Sequence, residues 1–206
     1  MARQRVSRSY HHGQLRQALI EAAEAILAES GVDALTLRAA ARHAGVSPAA
    51  PAHHFGSLQG LLTEVAILGF EALAAELEAG NARGGADPAA RLREQGLGYV
   101  RFALAHPGRF LLMFRKELLD REQPRLKAAG ARAFALLAEV VRAVRGLGTA
   151  PPLAGEDRAF LLLAWSTVHG FAHLALEGQL DPMAQGQAIE AFVESLLPGV
   201  MRQLLP

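Results

Sequence analysis

Apolar residues recur along most of this chain at intervals of three and four, the period of an amphipathic helix. Runs that alternate like a strand are almost absent. Leu15, Leu19, Ala22, Ala23, Ile26 and Leu27 make one such stripe, and Gly31 stands where a glycine ends a helix, so a first helix is predicted over 13–30. Thr36 suits the cap of a second, short helix that stops at Gly45. The inner face of that helix (Ala40, Ala41, Ala44) is small enough for a close crossing. Ser47 followed by Pro48 reads as a cap with proline at the first helical position. Pro51 removes only the bond back to Ser47, which leaves a third helix over 48–54, closed by Phe55. Two short helices joined by a tight glycine-containing turn, TLRAAARHAGVSPAAPAHHF over 36–55, are the signature of a helix-turn-helix, whose second helix enters the DNA major groove.

Six more helices follow in the pattern. Ser57 caps a long fourth helix carrying Leu61, Leu62, Val65, Leu68, Ala72 and Leu77, which ends near Gly80. The stretch 81–88, NARGGADP, reads as a linker. Helices are then predicted over 89–105, 109–119, 124–145, 156–177 and 183–205, with breaks at His106-Pro107-Gly108 and in the loop 146–155. Pro198 should kink or split the last of these, since an interior proline costs about 3 kcal/mol. The helix over 156–177 is apolar nearly all round, and such a helix needs cover on every side. In so small a protein, one face would meet its own core and the other a second subunit. Phe160, Trp165, Phe171 and Leu174 are the candidates for that contact, joined by Ile189, Phe192, Leu196 and Val200 of the last helix. The expected fold is all-α with about nine helices: a three-helix head over 1–56 and a C-terminal helical domain over 57–206.

Composition agrees with a globular chain: 206 residues, 51% hydrophobic and 20% charged. A net charge of +1 is too small for bulk electrostatics to explain nucleic-acid binding, but the distribution is uneven. Residues 1–16 carry Arg3, Arg5, Arg8 and Arg16 with no acid, and His11, His12, His43, His53 and His54 all precede residue 56. A basic arm ahead of a helix-turn-helix can reach a minor groove or phosphates; a solvated terminus is the plainer reading. The absence of cysteine excludes thiol redox sensing, cysteine zinc sites and disulfides. No apolar run approaches the roughly 18 residues of a membrane span, because Ala159–Trp165 is soon interrupted by Ser166 and His169. No secretory segment opens the chain, so a cytoplasmic protein without a membrane partner is expected. No Gly-rich phosphate loop, nucleophile elbow or HExxH appears, which argues against an enzyme and gives no cofactor. His169 and His173 share a helix face at a spacing that suits a metal, but no third ligand supports one, and buried or interface histidines are the favoured reading.

The segments YHHGQLRQALIEAAEAILAESG (10–31) and TLRAAARHAGVSPAAPAHHFGSLQGLL (36–62) resemble the tetracycline-repressor (TetR) family of bacterial transcriptional regulators in spacing, turn residues and the closing Phe55. The stretch AWSTVHGFAHLALEGQL (164–180) is similar to the Trp-His-Gly segment of one subgroup's C-terminal domain. The resemblance implies a homodimer with two DNA-binding heads on a near-palindromic operator, and a C-terminal domain that pairs the subunits. It also implies a small effector whose binding moves the heads apart, usually to relieve repression. Two positions depart from the family's habit: Ala52 stands where a tyrosine usually precedes the pair His53-His54, and Leu58 and Gln59 stand where a lysine is usual. Both missing side chains typically hold phosphates, so sequence-independent affinity should be weaker and less salt-dependent.

The candidate DNA-contacting residues follow from this layout. Ser47, Ala49, Ala50, Ala52, His53 and His54 are the groove-facing set, with His54 equally suited to packing on Phe55. Alanine offers a base edge only its methyl, so base readout should be modest and DNA shape important. Thr36 and Arg38 begin the second helix, where N–H groups and a cation can hold a phosphate, and Arg3, Arg5 and Arg8 form the arm. Tyr99, Phe102, His106 and Phe110, with Met113, Phe114, Trp165 and His169, are candidates to line a pocket for an unknown small apolar or aromatic effector; an ordinary core is the alternative. The favoured function is a dimeric, effector-released repressor. The rival is a helical dimer with a weakened head that serves mainly as a small-molecule or protein-binding module.

Overall fold

The computed structural model describes residues 3–148 and 152–205, with side chains for 13–148 and 152–205. Among the described residues there are ten α-helices and no strand. They are α1 (Arg3–Ser30), α2 (Leu37–His43), α3 (Ala50–Phe55), α4 (Leu58–Gly84), α5 (Pro88–Ala105), α6 (Pro107–Met113), α7 (Pro124–Val144), α8 (Gly155–Leu176), α9 (Asp181–Ala184) and α10 (Ile189–Gln203). The chain forms two compact units. The first is Met1–Gly69 with Gly108–Lys127, and the second is Phe70–Pro107 with Ala128–Pro206.

The first unit is built on the predicted stripe of α1. Leu19, Ile20, Ala23 and Leu27 are buried with Leu35, Ala40 and Ala41, with Leu61 and Val65 of α4, and with Phe110 and Leu112 of α6. Close backbone approach holds α6 here. A Cβ on Gly108 would lie 2.6 Å from the Leu27 carbonyl carbon, and one on Gly69 would lie 2.6 Å from the Met113 Sδ. Arg109 of α6 also forms an ion pair with Glu24 of α1.

Polar contacts reinforce this packing. The Thr63 hydroxyl accepts the Asp120 N–H at 2.9 Å, and the Glu64 carboxylate receives Arg16 at 2.7 Å and Arg125 at 3.1 Å. Burial alone would raise the Glu64 carboxyl, but the Arg16 and Arg125 guanidiniums outweigh it and hold it below its ordinary 4.5. A depressed carboxylate contributes stability above its unfolded value and loses it as pH falls through the folded one. Glu64→Gln should therefore destabilise by about 2 kcal/mol at neutral pH. The melting-temperature gap from the wild type should close as pH falls below 4.5. A gap that stayed constant from pH 7 to acid would count against this network.

In the second unit the latter half of α4 runs antiparallel to α5 along a seam of small residues. Added Cβ atoms would meet the backbone of Glu94 and Gln95 at 2.9 Å from Gly80, that of Arg91 at 2.5 Å from Gly84, and the Glu76 carbonyl at 3.1 Å from Gly98. This corrects the expected linker over 81–88. The fourth helix runs on to Gly84, because its glycines admit α5 instead of ending the helix. Asn81 Oδ1 accepts from Gln95 Nε2 at 2.9 Å and Arg83 reaches Glu94 at 2.9 Å, so the linker residues are part of the packing. Gly96 lets α5 approach Val168 of α8 and Met201 of α10, and Arg101 grips Glu194 of α10 through two hydrogen bonds.

Other boundaries differ as well. α1 begins at Arg3 instead of 13, since nothing before Gly13 breaks a helix and Gly13 is tolerated within it. The expected helix over 109–119 ends at Met113 and continues as a 3-10 turn over Lys116–Leu118. The predicted last helix is two, which raises nine to ten: the chain turns through positive φ at Gln185 and Gly186 between α9 and α10. Pro198 does not split α10. α4 and α8 are both long and apolar enough by composition to cross a membrane, contrary to the expectation from run length. Ser166, His169 and Gly170 interrupt the run of α8 without lowering its average far. Of those apolar stretches, 56% is buried inside the protein for α4 and 33% for α8.

Candidate nucleic-acid interface

Local hydrogen bonds fix the two short helices. The Thr36 hydroxyl accepts the Ala39 N–H at 3.0 Å, capping α2 as its position predicted. At the other end the Val46 N–H bonds to the Ala41 carbonyl at 3.0 Å and the Gly45 N–H to that of Arg42 at 3.2 Å. This is a Schellman turn, and it requires the left-handed φ of 65° that Gly45 adopts. Ser47 Oγ accepts the Ala49 N–H at 3.3 Å, while its carbonyl accepts from Ala50 at 3.0 Å. Pro51 has no N–H for the Ser47 carbonyl, so regular helix begins at Ala50, two residues later than predicted. The ring of Pro51 is buried, which anchors α3.

α3 ends on Gly56 at φ 74°, and Ser57 Oγ then caps α4 by accepting the Gly60 N–H at 3.1 Å. A Cβ on Gly60 would fall inside the carbonyl oxygen of Phe55. The start of α4 therefore rests directly on the end of α3.

This scaffold leaves Ser47, Ala49, Ala52 and His53 exposed, with Ala50 and His54 half-buried. The His54 ring lies 6.3 Å from that of Phe55 and 5.4 Å from that of His53, so it packs on the scaffold while keeping an accessible edge. On α2, Thr36 and Arg38 are exposed, as is Arg42 one turn beyond. Arg42 is not among the sequence-predicted contacts, although its spacing from Arg38 places both on one helix face. Neither forms an ion pair among the described residues. Arg16 belongs to the scaffold: its guanidinium sits 5.4 Å from the centre of the Phe55 ring and pairs with Glu64. The side chains of Arg3, Arg5 and Arg8 lie outside the described ones. Ala52 and Gln59 are exposed and Leu58 is half-buried, so no cation stands at any of the three.

The proposed effector residues divide between the units. Phe110, Met113 and Phe114 belong to the first, where the rings of Phe110 and Phe114 meet at 5.3 Å. Tyr99, Phe102, His106, Trp165 and His169 belong to the second. There the Tyr99 hydroxyl lies 2.8 Å from His169 Nδ1, the His169 and Trp165 rings are 6.1 Å apart, and those of Phe102 and His106 are 5.3 Å apart. Burial raises the Tyr99 hydroxyl well above its usual pKa, while burial and the neighbouring His173 lower that of His169. The pair is neutral at physiological pH. His169 and His173 stand 4.7 Å apart, and His173 faces Glu177 at 3.6 Å. No group of three ligating side chains suited to a metal occurs among the described residues.

None of the residues expected at a subunit contact is buried within the chain. Leu174 and Leu196 are exposed, and Phe160, Trp165, Phe171, Ile189, Phe192 and Val200 are half-buried. Leu162 and Leu163 add to the open face of α8 at 50% and 49% exposure. They are absent from the expected set because an all-apolar helix gives no internal contrast between its faces.

Comparison with known proteins covers both parts of the chain. Residues 19–65 match the bacterial regulatory proteins of the tetR family, and residues 92–199 match the tetracyclin repressor-like C-terminal domain. The chain is 28% identical over 189 residues to an uncharacterised HTH-type transcriptional regulator of Mycobacterium tuberculosis, covering 91% of this chain and 82% of that protein. A structure of a protein of unknown function from Rhodococcus sp. RHA1 is 36% identical with a TM-score of 0.75, over 96% of this chain and 98% of that one. The fold is also that of the TetR family regulator PfmR from Thermus thermophilus, at 21% identity and a TM-score of 0.66 over 92% and 94% of the two chains.

Proposed function

The chain belongs to the tetR family of bacterial regulatory proteins, a non-enzymatic family of DNA-binding transcriptional regulators, and on that premise we propose that it is a homodimeric repressor released from a near-palindromic operator by a small molecule. The observation that carries the reading is the rim of the head. Ser47, Ala49 and His53 stand exposed at the groove-facing helix, and Arg38 and Arg42 stand exposed beside it on α2. A helix of this kind reads base edges while neighbouring cations and N–H groups hold phosphates. A protein acting on chromosomal DNA works in the cytoplasm.

The second subunit is supported by the uncovered apolar faces of α8 and α10, which a twin copy would bury against itself. These faces include Trp165, His169 and Gly170, the residues behind the likeness to a Trp-His-Gly subgroup. The effector is supported by the Tyr99–His169–Trp165 cluster, whose polar atoms converge among apolar neighbours. Induction is a population shift, in which the effector binds the heads-apart dimer more tightly and lowers operator affinity by that ratio. α6 packs on α1 through Gly108 and Arg109 and on α4 at Gly69, and in this reading movement of α6 and α4 carries occupancy to α3.

Fluorescence anisotropy of the protein's own upstream DNA tests this reading. Binding should saturate and weaken steeply with salt, and Arg38→Ala and Arg42→Ala should each reduce the slope of log K against log salt by about 1. Absent or salt-insensitive binding would overturn the proposal.

A further inference from the structure

Gln95 is 2% exposed at the heart of the second unit. Its Nε2 donates to Asn81 Oδ1 at 2.9 Å and to the Leu136 carbonyl at 3.2 Å. A backbone carbonyl can only accept, so the amide cannot be turned over, and Oε1 is fixed on the opposite side. That oxygen is buried and has no hydrogen-bond partner among the described residues. Buried acceptors are almost always satisfied, so an orphan in a native core calls for a partner, which a bound molecule or an ordered water can supply.

The position of Gln95 says what that partner looks like. Gln95, Tyr99 and Phe102 follow one another at four and three residues, one face of α5, with His106 just past its end. Gln95, Tyr99 and Phe102 are buried on it. The Tyr99 hydroxyl is engaged with His169, and that pair is neutral. Among the described residues no charged side chain of this unit is buried, and Arg83, Arg101 and Arg132 pair with Glu94, Glu194 and Glu78. An anion buried on this face would have no counter-charge and would be pushed away by the amide oxygen. A buried ammonium would likewise lack a carboxylate. What remains is a neutral group that donates.

We propose that the effector is an uncharged molecule with an apolar body and one hydroxyl or N–H group that donates to Gln95 Oε1. The inference rests on the effector reading above and narrows its chemistry. A single ordered water on the same oxygen is the competing occupant.

Titration calorimetry on the full-length protein with two matched series separates these. One series is naphthol, its methyl ether and naphthoate; the other is decanol, its methyl ether and decanoate. The alcohol of at least one series should bind about tenfold more tightly than its ether, because the ether leaves the oxygen unpaired. The carboxylate should bind most weakly. In Gln95→Met the preference for alcohol over ether should vanish while the ether still binds. Should that variant fail to fold, the ligand series on the wild type decides alone. Equal binding of alcohol and ether, as expected if a water keeps the site, would overturn the inference and leave the effector reading standing; so would tightest binding of the carboxylate. No binding by any of the six would overturn the inference, and operator affinity unmoved by a wide set of small molecules would sink the effector reading with it.

Discussion

Gly60→Ala is expected to unseat the recognition helix and abolish operator binding, an effect out of proportion to one methyl group. The new Cβ would overlap the Phe55 carbonyl oxygen, a backbone atom at the end of α3 that no rotamer change can move aside. Relief requires α3 or the start of α4 to shift, and the Gly56 turn and the Ser57 cap hold both. Overpacking of this kind costs about 3 kcal/mol, a large share of a small unit's stability. Gly130→Ala is the control. No atom lies within 4 Å of the added carbon there, so alanine in mid-helix should be neutral or stabilise by up to about 1 kcal/mol. Thermal unfolding and operator anisotropy on both variants check the contrast. A Gly60→Ala protein that melts and binds like the wild type would show that the junction yields.

Gly170→Arg should separate folding from assembly. Nothing lies within 4 Å of an added Cβ at Gly170, so the backbone there accepts a side chain without a clash at its first carbon. Gly170 nevertheless lies between Leu163 and Leu174 on the open face of α8, and a twin copy docked on that face would have to bury the new charge without a partner. An uncompensated buried charge costs about 3 to 5 kcal/mol, a hundredfold or more in dimer affinity. Sedimentation should show a folded monomer. Operator affinity should fall by a comparable factor, since one head then reads one half-site. A Gly170→Arg protein that remains a dimer would move the subunit contact elsewhere.

Much of the head was legible in the sequence because its determinants are local. Thr36 and Ser57 cap helices within three residues of themselves, and Gly45 ends one by its own backbone angle; Ser47 accepts from Ala49, but α3 starts beyond it without a side-chain cap. Features set by distant partners were not legible. Gly80 and Gly84 read as breakers until α5 is seen lying against them. Arg16 read as part of a basic arm, but its partner Glu64 is 48 positions away in the chain. The packing of α6 with the head depends on Gly108 meeting Leu27, and the orphaned oxygen of Gln95 depends on where Leu136 places its carbonyl. Neither leaves a trace in local periodicity. Exposure on α8 was foreseeable in kind but not in position, because its apolar residues mark no single face.

The bare alanines of α3 bear on how such a regulator can change allegiance. Ala49, the N-cap of α3, and Ala52 within it stand exposed, and the helix is held by Gly45, Pro51 and Gly60 rather than by its outward side chains. Replacing either with asparagine, glutamine or arginine introduces a base-reading group without touching the scaffold. New promoter preferences are then reachable in single substitutions, and a library confined to these two sites should yield folded regulators with mutually exclusive DNA sites and one unchanged C-terminal domain.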